Sequence, residues 1–495
     1  MFLRSRLLTL VTALLASSAY GVSNSSSLDS STTTPASILA VCHLISASIS
    51  SASDVYYPGS ANYVADNEHF MPSSSQDSIC SVEPGTTADV STILHIVGLS
   101  RTPFAVKGGG HTSNVGFSST TGVQIAMTRF NQVTYSASTT TVDVGAGCRW
   151  DDVYAVVNPL GRNVAGARAP GVGVAGFTLG GGVNYLSNQY GETIDTVTAF
   201  ELVRPGGAVT TVTAANTELF FALKGGFNNF GIVTKFTFNT FPQTQIWAGG
   251  LLAPASSLDA VNTAVENFFA TSTDPKATLI VQYRYQYSAL TVALTVFYDA
   301  PTPPAGLFDE ILAIPGATGT PATMDFVDVL LVGSPSVSGS RFMFGDTEVT
   351  AFPKTLLDAI AHEAQVVGDA ADPLSTSFNM FMIWQNLPNY LQHGAESAWP
   401  ADRSVFQGSI NSWALWTDPT HDADIVGIVE ASGDRLAALA TSLGQDLSGT
   451  SLYPNIVPAN TPLRKIYGGH LPRLRVIKNL VDPLNVMGLA GGFKF

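Results

Sequence analysis

The sequence predicts an α+β fold in which a second, sheet-containing domain is inserted between two parts of a first domain. The chain has 495 residues, which is long for one domain and suggests two. As far as residues 241–243, short β-branched runs alternate with glycine turns and short helices. Beyond that point apolar and polar residues alternate strictly, which is typical of antiparallel strands with one buried face. From about Ser448 the chain returns to complete the first domain.

The individual elements follow from the same periodicities. In the first part, the pattern predicts a helix over 86–99 and strands over 141–144 and 199–203. A helix that begins at Ser257 places Val261, Val265 and Phe268 on one face. Alternation over 279–287 and 290–296 predicts an antiparallel hairpin whose strands are half-buried. Further predicted elements are a helix over 354–366, strands over 377–385 and 405–416, and a helix over 423–443.

Composition limits the possible partners and the compartment. The net charge of −14 leaves no basic stripe for nucleic acid, so we expect no nucleic-acid partner. Residues 1–21 combine two basic residues, a short apolar run and small residues, which predicts a cleaved signal peptide and a secreted protein. That apolar run is too short to span a bilayer, so we expect no membrane association. Asn24 begins a glycosylation sequon.

Metal chemistry is not expected. The eight histidines are scattered without the paired spacing of metal ligands. Cys148 lies at the junction of a predicted strand and helix, and we interpret it as a buried apolar side chain. These observations leave a cofactor other than a metal as the source of any chemistry.

A glycine-rich turn carries the most informative motif of the chain. Residues 106–112 read Val-Lys-Gly-Gly-Gly-His-Thr and follow an apolar segment. Three glycines without Cβ atoms let backbone N–H groups approach a pyrophosphate closely. His111 would then stand beside whatever the pyrophosphate carries, and imidazole is both a nucleophile and a base. The motif alone also occurs in ordinary surface loops.

Two later glycine-rich segments support the first. Residues 165–182 contain many glycines and alanines, and such a backbone can pass close to a flat ligand. Residues 223–234 lead through another glycine pair into a β-branched strand. The candidate binding residues in the three segments are Lys107, Gly108, Gly109, Gly110, Thr112, Gly116, Val172, Gly173, Gly176, Gly180, Gly181, Gly182, Gly231, Ile232 and Val233.

The order and spacing of these segments resemble the flavin-binding domain of the vanillyl-alcohol oxidase and p-cresol methylhydroxylase (PCMH) superfamily. The branch that the chain resembles most is the secreted berberine bridge enzyme-like FAD oxidases, whose closing segment is similar to Tyr467-Gly468-Gly469 and Asp482-Pro483-Leu484-Asn485. The resemblance implies FAD as cofactor and a two-part PCMH-type FAD-binding domain with an inserted antiparallel-sheet cap. The implied divisions are a signal peptide (1–21), a lead-in (22–70), the FAD-binding domain (71–243), the substrate or cap domain (244–445) and a closing segment (446–495).

The resemblance also assigns roles to particular residues. In that family the histidine after the glycine turn is bonded covalently to the 8α-methyl group of the flavin, and His111 occupies its place. Many members add a second bond through a cysteine where this chain has Ala169, so a single bond is expected. Val172 matches a position near the flavin carbon that oxygen attacks, and a valine there favours an oxidase. Cys42 and Cys80 match a pair that is commonly bridged.

The catalytic base is not determined by the resemblance. Sugar-oxidising members carry tyrosines where this chain has Val183 and Ile456. The polar residues that remain as candidates are Tyr453, Tyr185 and Asn411, of which an amide can orient a substrate but cannot take its proton. We therefore expect a small alcohol, lactol, amine or secondary-metabolite ring as substrate and molecular oxygen as acceptor. An oligosaccharide oxidase and a flavin-binding protein with little turnover are the alternatives.

Overall fold

The computed structural model describes residues 34–332 and 340–495, and Pro35–Phe495 forms one compact unit. The predicted signal peptide and the Asn24 sequon lie outside the described residues. Within the described ranges, no helix is long and apolar enough to cross a membrane. The first part of the chain contains a four-stranded and a five-stranded sheet, and a seven-stranded antiparallel sheet follows.

The four-stranded sheet has the order β1-β2-β4-β3, and the five-stranded sheet has the order β5-β6-β10-β8-β9. The strands β2, β3 and β4 are parallel, whereas all pairs of the five-stranded sheet are antiparallel. A two-stranded pair joins β7 and β11. The strands of this part are β1 (Asp54–Tyr56), β2 (Cys80–Glu83), β3 (Phe104–Lys107), β4 (Val123–Ala126), β5 (Val133–Ser136), β6 (Thr141–Gly145), β7 (Arg162–Asn163), β8 (Val197–Val203), β9 (Val209–Thr213), β10 (Ile232–Asn239) and β11 (Phe241–Pro242).

Short helices connect these strands. One of them begins after Thr86, whose side chain caps it by accepting a hydrogen bond from the Asp89 N–H. The helices are α1 (Pro35–Ser48), α2 (Ala61–Asn67), α3 (Thr87–Leu99), α4 (Trp150–Val157), α5 (Val174–Leu179), α6 (Ser187–Tyr190) and α7 (Thr217–Leu223). A disulfide joins Cys42 of α1 to Cys80 of β2, the pair that the resemblance implied. Cys148 is buried, which raises the pKa of its thiol to about 11.

The seven-stranded sheet has the order β15-β12-β14-β13-β17-β18-β16. Its strands are β12 (Ile246–Pro254), β13 (Ala277–Gln286), β14 (Ala289–Tyr298), β15 (Ala322–Met324), β16 (Arg341–Val349), β17 (Thr376–Trp384) and β18 (Gly408–Trp416). The remaining helices are α8 (Leu258–Thr271), α9 (Asp309–Leu312), α10 (Phe326–Val329), α11 (Lys354–Ala371), α12 (Asp422–Ser442), α13 (Leu463–Tyr467) and α14 (Leu471–Val481). The predicted hairpin is confirmed, because β13 and β14 pair along their full length.

Both faces of the seven-stranded sheet are covered, which corrects the prediction of half-buried strands. On one face Leu279, Val281 and Tyr283 pack with the apolar sides of α8, α11 and α12. On the other face Ile280 belongs to the core of the first part of the chain. The polar residues that alternate along β13, such as Gln282, therefore do not face bulk solvent. They face a cavity.

Candidate active site

The loop after β3 comes into close contact with the loop before α5. A Cβ atom built on Gly109 would lie 2.6 Å from the Gly173 backbone nitrogen and closer still to its Cα atom. Gly110 has φ of +66°, a conformation that side chains with a Cβ rarely adopt. Only glycine fits this crossing, which positions the following residue, His111.

His111 lies at the wall of the cavity in an apolar setting. Its ring stacks on Phe70 with centroids 4.3 Å apart and planes inclined by 13°. Burial lowers the pKa of the imidazole to about 4. The ring is therefore neutral at physiological pH and keeps the lone pair that a nucleophile needs.

A cavity of about 340 Å³ lies between the glycine loops and the seven-stranded sheet. Alternate residues of β13, β17 and β18 form most of its sheet wall, since side chains two apart share one face, and β14 and β16 add Thr295 and Phe344. Gln282 of β13, Met382 of β17 and Asn411 of β18 stand in register across this wall. Aromatic and apolar side chains also line the cavity, among them Val183, Ile280, Phe344, Trp384, Trp413 and Ile456. No carboxylate side chain of the described residues lines the cavity.

The Tyr453 hydroxyl is held by three N–H donors. It accepts hydrogen bonds from the backbone N–H groups of Gly182 and Val183, each at 3.1 Å, and from the Asn455 side-chain amide at 2.9 Å. Three donors aimed at one phenolic oxygen stabilise negative charge on it. Burial acts in the opposite direction and dominates, raising the pKa of Tyr453 to about 12.

The other two candidate catalytic residues are arranged differently. Tyr185 stacks on Phe297 with centroids 4.8 Å apart, and burial raises its pKa to about 12. The Asn411 side chain is already engaged within the sheet, because its amide donates to the Gly345 carbonyl at 3.1 Å and its oxygen accepts from the Trp413 indole. Asn411 thus keeps one amide hydrogen for a ligand.

Most sequence-predicted site residues meet at the cavity. They are Gly108, Gly109, Gly110, His111, Thr112, Val172, Gly173, Gly176, Gly231, Ile232, Val233, Tyr185, Asn411 and Tyr453. The structure does not bring the remaining ones into the cavity lining. The Lys107 ammonium donates to the Ala65 carbonyl at 2.8 Å, and a Cβ on Gly181 would meet the Trp399 ring. Gly116, Gly180 and Gly182 likewise lie outside the lining.

Buried acids lie behind Tyr453. The backbone N–H of Tyr453 donates to Asp346 at 2.6 Å, and burial raises the pKa of that carboxyl to about 6. Burial also raises the pKa of Glu348 and of Glu192 well above the ordinary value. Removal from water thus disfavours the charged form of all three carboxyl groups.

Sequence reasoning identified Asn411 but missed other cavity residues that the inserted domain contributes. Trp384, Met382 and Trp413 occupy alternate positions of strands that were predicted, so the alternation could have indicated them once one strand position was placed at the cavity. Arg168 lies in the glycine-rich segment 165–182, whose composition predicts only a close approach of the backbone to a ligand. Its side chain also lines the cavity.

Comparison with known proteins agrees with this geometry. Residues 79–213 match the FAD binding domain family. An FAD-dependent monooxygenase of Arthrobotrys oligospora is 35% identical over 400 residues, which are 79% of this chain and 76% of that protein. An uncharacterized FAD-linked oxidoreductase of Arthroderma benhamiae is 32% identical over 299 residues, 59% of this chain and 60% of that protein. The alignment thus spans less than two thirds of the latter.

Solved structures show the same fold at low identity. The berberine bridge enzyme-like protein 1 of Physcomitrella patens superposes with a TM-score of 0.74 at 19% identity, covering 91% of this chain and 97% of that one. Fold and site together define a flavoprotein whose cofactor is FAD. The chain belongs to the FAD-linked oxidoreductases that share this FAD binding domain, and it has the fold of the berberine bridge enzyme-like proteins.

Proposed function

We propose that the protein is a secreted FAD-dependent oxidase that takes a hydride from a small alcohol, lactol or secondary-metabolite substrate and reduces O₂ to H₂O₂. The observation that carries the proposal is the cavity, which has a neutral His111 and glycine loops on one side and an aromatic sheet wall on the other. When bound there, FAD supplies hydride acceptance and reoxidation by oxygen. The Cys42–Cys80 disulfide fits an oxidising compartment.

The chain offers a suitable binding surface for FAD. The crossing of Gly109 and Gly173 exposes backbone without Cβ atoms at the cavity, where N–H groups can donate hydrogen bonds to phosphate oxygens. His111 is the residue that we propose to be bonded to the flavin, because it lines the cavity and its imidazole is neutral. Ala169, also at the cavity, cannot supply a second bond.

Tyr453 is the group that we propose to take the substrate proton. Its hydroxyl lines the cavity, and the three N–H groups that donate to its oxygen support the phenolate. The phenolic hydrogen has no acceptor among the residues that the structure describes, so it is free to face a ligand. Tyr185 and the remaining amide hydrogen of Asn411 would orient the substrate.

An oligosaccharide oxidase of the same fold is the alternative substrate assignment. The apolar side chains of Val183 and Ile456 at the cavity oppose it, because they offer no hydrogen bonds to sugar hydroxyls. We expect simple sugars and cello- or xylo-oligosaccharides to be poor substrates in a peroxide-release assay, with aromatic alcohols and cyclic amines assayed in parallel. Efficient oxidation of an oligosaccharide by the unmodified protein would overturn this assignment.

The covalent flavin is tested by acid precipitation. The purified protein should be yellow and keep its flavin in the precipitate, whereas His111→Ala should release it. The matched control is His95→Ala, since His95 is exposed on α3 and is not part of the cavity lining. A flavin-linked peptide centred on any residue other than His111 would refute the assignment.

Turnover is tested separately. Substrate-dependent peroxide release distinguishes an oxidase from a flavin-binding protein with little turnover. Because a relative carries the name monooxygenase, the mass of the organic product formed under isotopically labelled oxygen should also be measured by mass spectrometry. An oxidase leaves both labelled atoms in hydrogen peroxide, and label in the organic product would contradict our proposal.

A further inference from the structure

Arg168 is a cation without a protein counter-ion. Its guanidinium lies over the Trp384 ring at 4.4 Å from the centroid and lines the cavity. Within residues 34–332 and 340–495, no carboxylate lies within ion-pair distance of it and no hydrogen bond holds it. Two buried lysines, by contrast, have carboxylate partners, since Lys224 pairs with Asp195 and Lys478 pairs with Asp482.

The neighbouring groups cannot neutralise Arg168. The titratable residues that interact with its charge are Tyr185 and Tyr453, and burial raises the pKa of each to about 12. Both tyrosines are therefore uncharged at neutral pH. An arginine stays protonated in proteins, so the charge persists. Arg168 is half-buried at the cavity. A charge that is partly removed from water without a partner is costly, and a ligand that brings the opposite charge reduces that cost.

The position of the guanidinium indicates the substrate as that ligand. The side chain reaches from the loop after β7 to the seven-stranded sheet, where Trp384 fixes it by stacking. Trp384 pairs in register with Ile280, and Met382 follows on the same face. One fixed cation thus stands against a sheet wall whose other members are uncharged. A planar guanidinium presents paired N–H donors that match a carboxylate.

We propose that Arg168 is a specificity-determining residue that binds a carboxylate, or an ionised enol, on an otherwise apolar substrate. The inference deepens the proposed function, on which it rests only in taking this cavity as the substrate site. It narrows the substrate class from small alcohols and rings in general to apolar organic acids.

The experiment compares two probes of one shape with the flavin-containing protein, naphthoate and naphthamide, by the perturbation that each causes in flavin absorption. Naphthoate should bind about tenfold or more tightly than naphthamide, the range expected for a hydrogen-bonded charge pair. Arg168→Met should remove that preference. Arg168→Lys should retain part of it, because the charge remains without the planar fork. Arg475→Met, which removes an exposed arginine of α14, is the matched control.

Two further measurements distinguish a charge that binds the substrate from a charge that acts on the flavin. Trp384→Leu should weaken the preference for naphthoate while keeping the charge, and it replaces Arg168→Met as the test if that variant does not fold. The midpoint potential of the flavin should be the same in wild type and Arg168→Met. A shifted potential with an unchanged naphthoate preference would mean that the charge serves the flavin, which overturns the proposal. Equal affinity of the two probes for the wild type, or no response to millimolar naphthoate, also overturns it.

This outcome is independent of the oxidase assignment. The titration needs bound flavin as a reporter but no turnover. A protein that prefers naphthoate yet releases no peroxide with any substrate would refute the oxidase and leave the role of Arg168 intact. A protein that releases peroxide with neutral alcohols and shows no preference for naphthoate would support the oxidase and refute the role of Arg168.

Discussion

Replacing Gly109 by alanine should separate the two loops that form the binding surface for the cofactor. The added Cβ atom would lie 2.6 Å from the Gly173 nitrogen, whereas ordinary van der Waals contact begins at 3.4 Å. Its neighbour is backbone, which cannot rotate away as a side chain can. The loops must therefore move apart by roughly 1 Å, and overpacking of this kind costs about 1–3 kcal/mol of stability.

The functional effect of Gly109→Ala should exceed the effect on stability. His111 is two residues away, and a displacement of roughly 1 Å at a reacting group can reduce a rate by about 10²-fold. We expect most of the purified variant to lack acid-stable flavin while the chain remains folded, as read by flavin absorbance of the precipitate and by urea denaturation. The matched control is Gly427→Ala on α12, where a Cβ atom meets nothing within 4 Å and helix propensity favours alanine. Full covalent flavin in Gly109→Ala would refute the reasoning.

Three further predictions concern oxygen, protons and stability. Val172→Ile should slow reoxidation of the reduced flavin by oxygen more than its reduction by substrate, measured by stopped flow, because Val172 lines the cavity. The raised pKa of Tyr453, about 12, makes the phenol neutral at pH 7, so the rate of reduction should rise about tenfold per pH unit below that value; Tyr453→Phe should lose this slope. Asp195 is fully buried and pairs with Arg403 at 2.7 Å and Lys224 at 3.5 Å. Asp195→Asn should cost about 3–5 kcal/mol in urea denaturation.

Each of these has an outcome that contradicts it. Equal slowing of both half-reactions in Val172→Ile would mean that Val172 shapes the cavity without affecting oxygen. An unchanged pH slope in Tyr453→Phe, with Tyr185→Phe as the control for a buried cavity tyrosine, would exclude Tyr453 as the base. A loss below about 1 kcal/mol in Asp195→Asn would show that the two cations find other partners or solvent.

Local signals explain what the sequence predicted well. The helix predicted over 86–99 is Thr87–Leu99, because Thr86 provides a side-chain cap at one end and apolar periodicity continues to the other. The helix predicted over 423–443 is Asp422–Ser442 for the same periodic reason. The glycine turn before His111 was recognisable in the sequence because two of its positions require glycine. Gly109 approaches the Gly173 backbone closely, and Gly110 has a positive φ.

Long-range relations explain what the sequence did not predict. The hydroxyl of Tyr453 accepts from backbone N–H groups about 270 residues earlier, and no local pattern reports such a pairing. The second face of β13 was expected to meet solvent because Gln282 and Arg284 are polar. Their polarity instead reflects a hydrogen-bonded pair on the cavity side of the sheet, since the Gln282 oxygen accepts from the Arg284 guanidinium at 2.9 Å.

The satisfied and unsatisfied polar groups of the cavity restrict what it can bind. The side-chain oxygens of Gln282 and Asn411 already accept hydrogen bonds within the sheet. The hydroxyls of Tyr185 and Tyr453, the guanidinium of Arg168 and one amide hydrogen of Asn411 remain, and all of them can donate. A ligand must therefore present acceptors at few positions and apolar surface elsewhere. A sugar brings hydroxyl groups on every side, and those that meet apolar walls lose their hydrogen bonds to water without replacement. That loss, more than the size of the cavity, is the physical reason to expect an apolar acid and not an oligosaccharide.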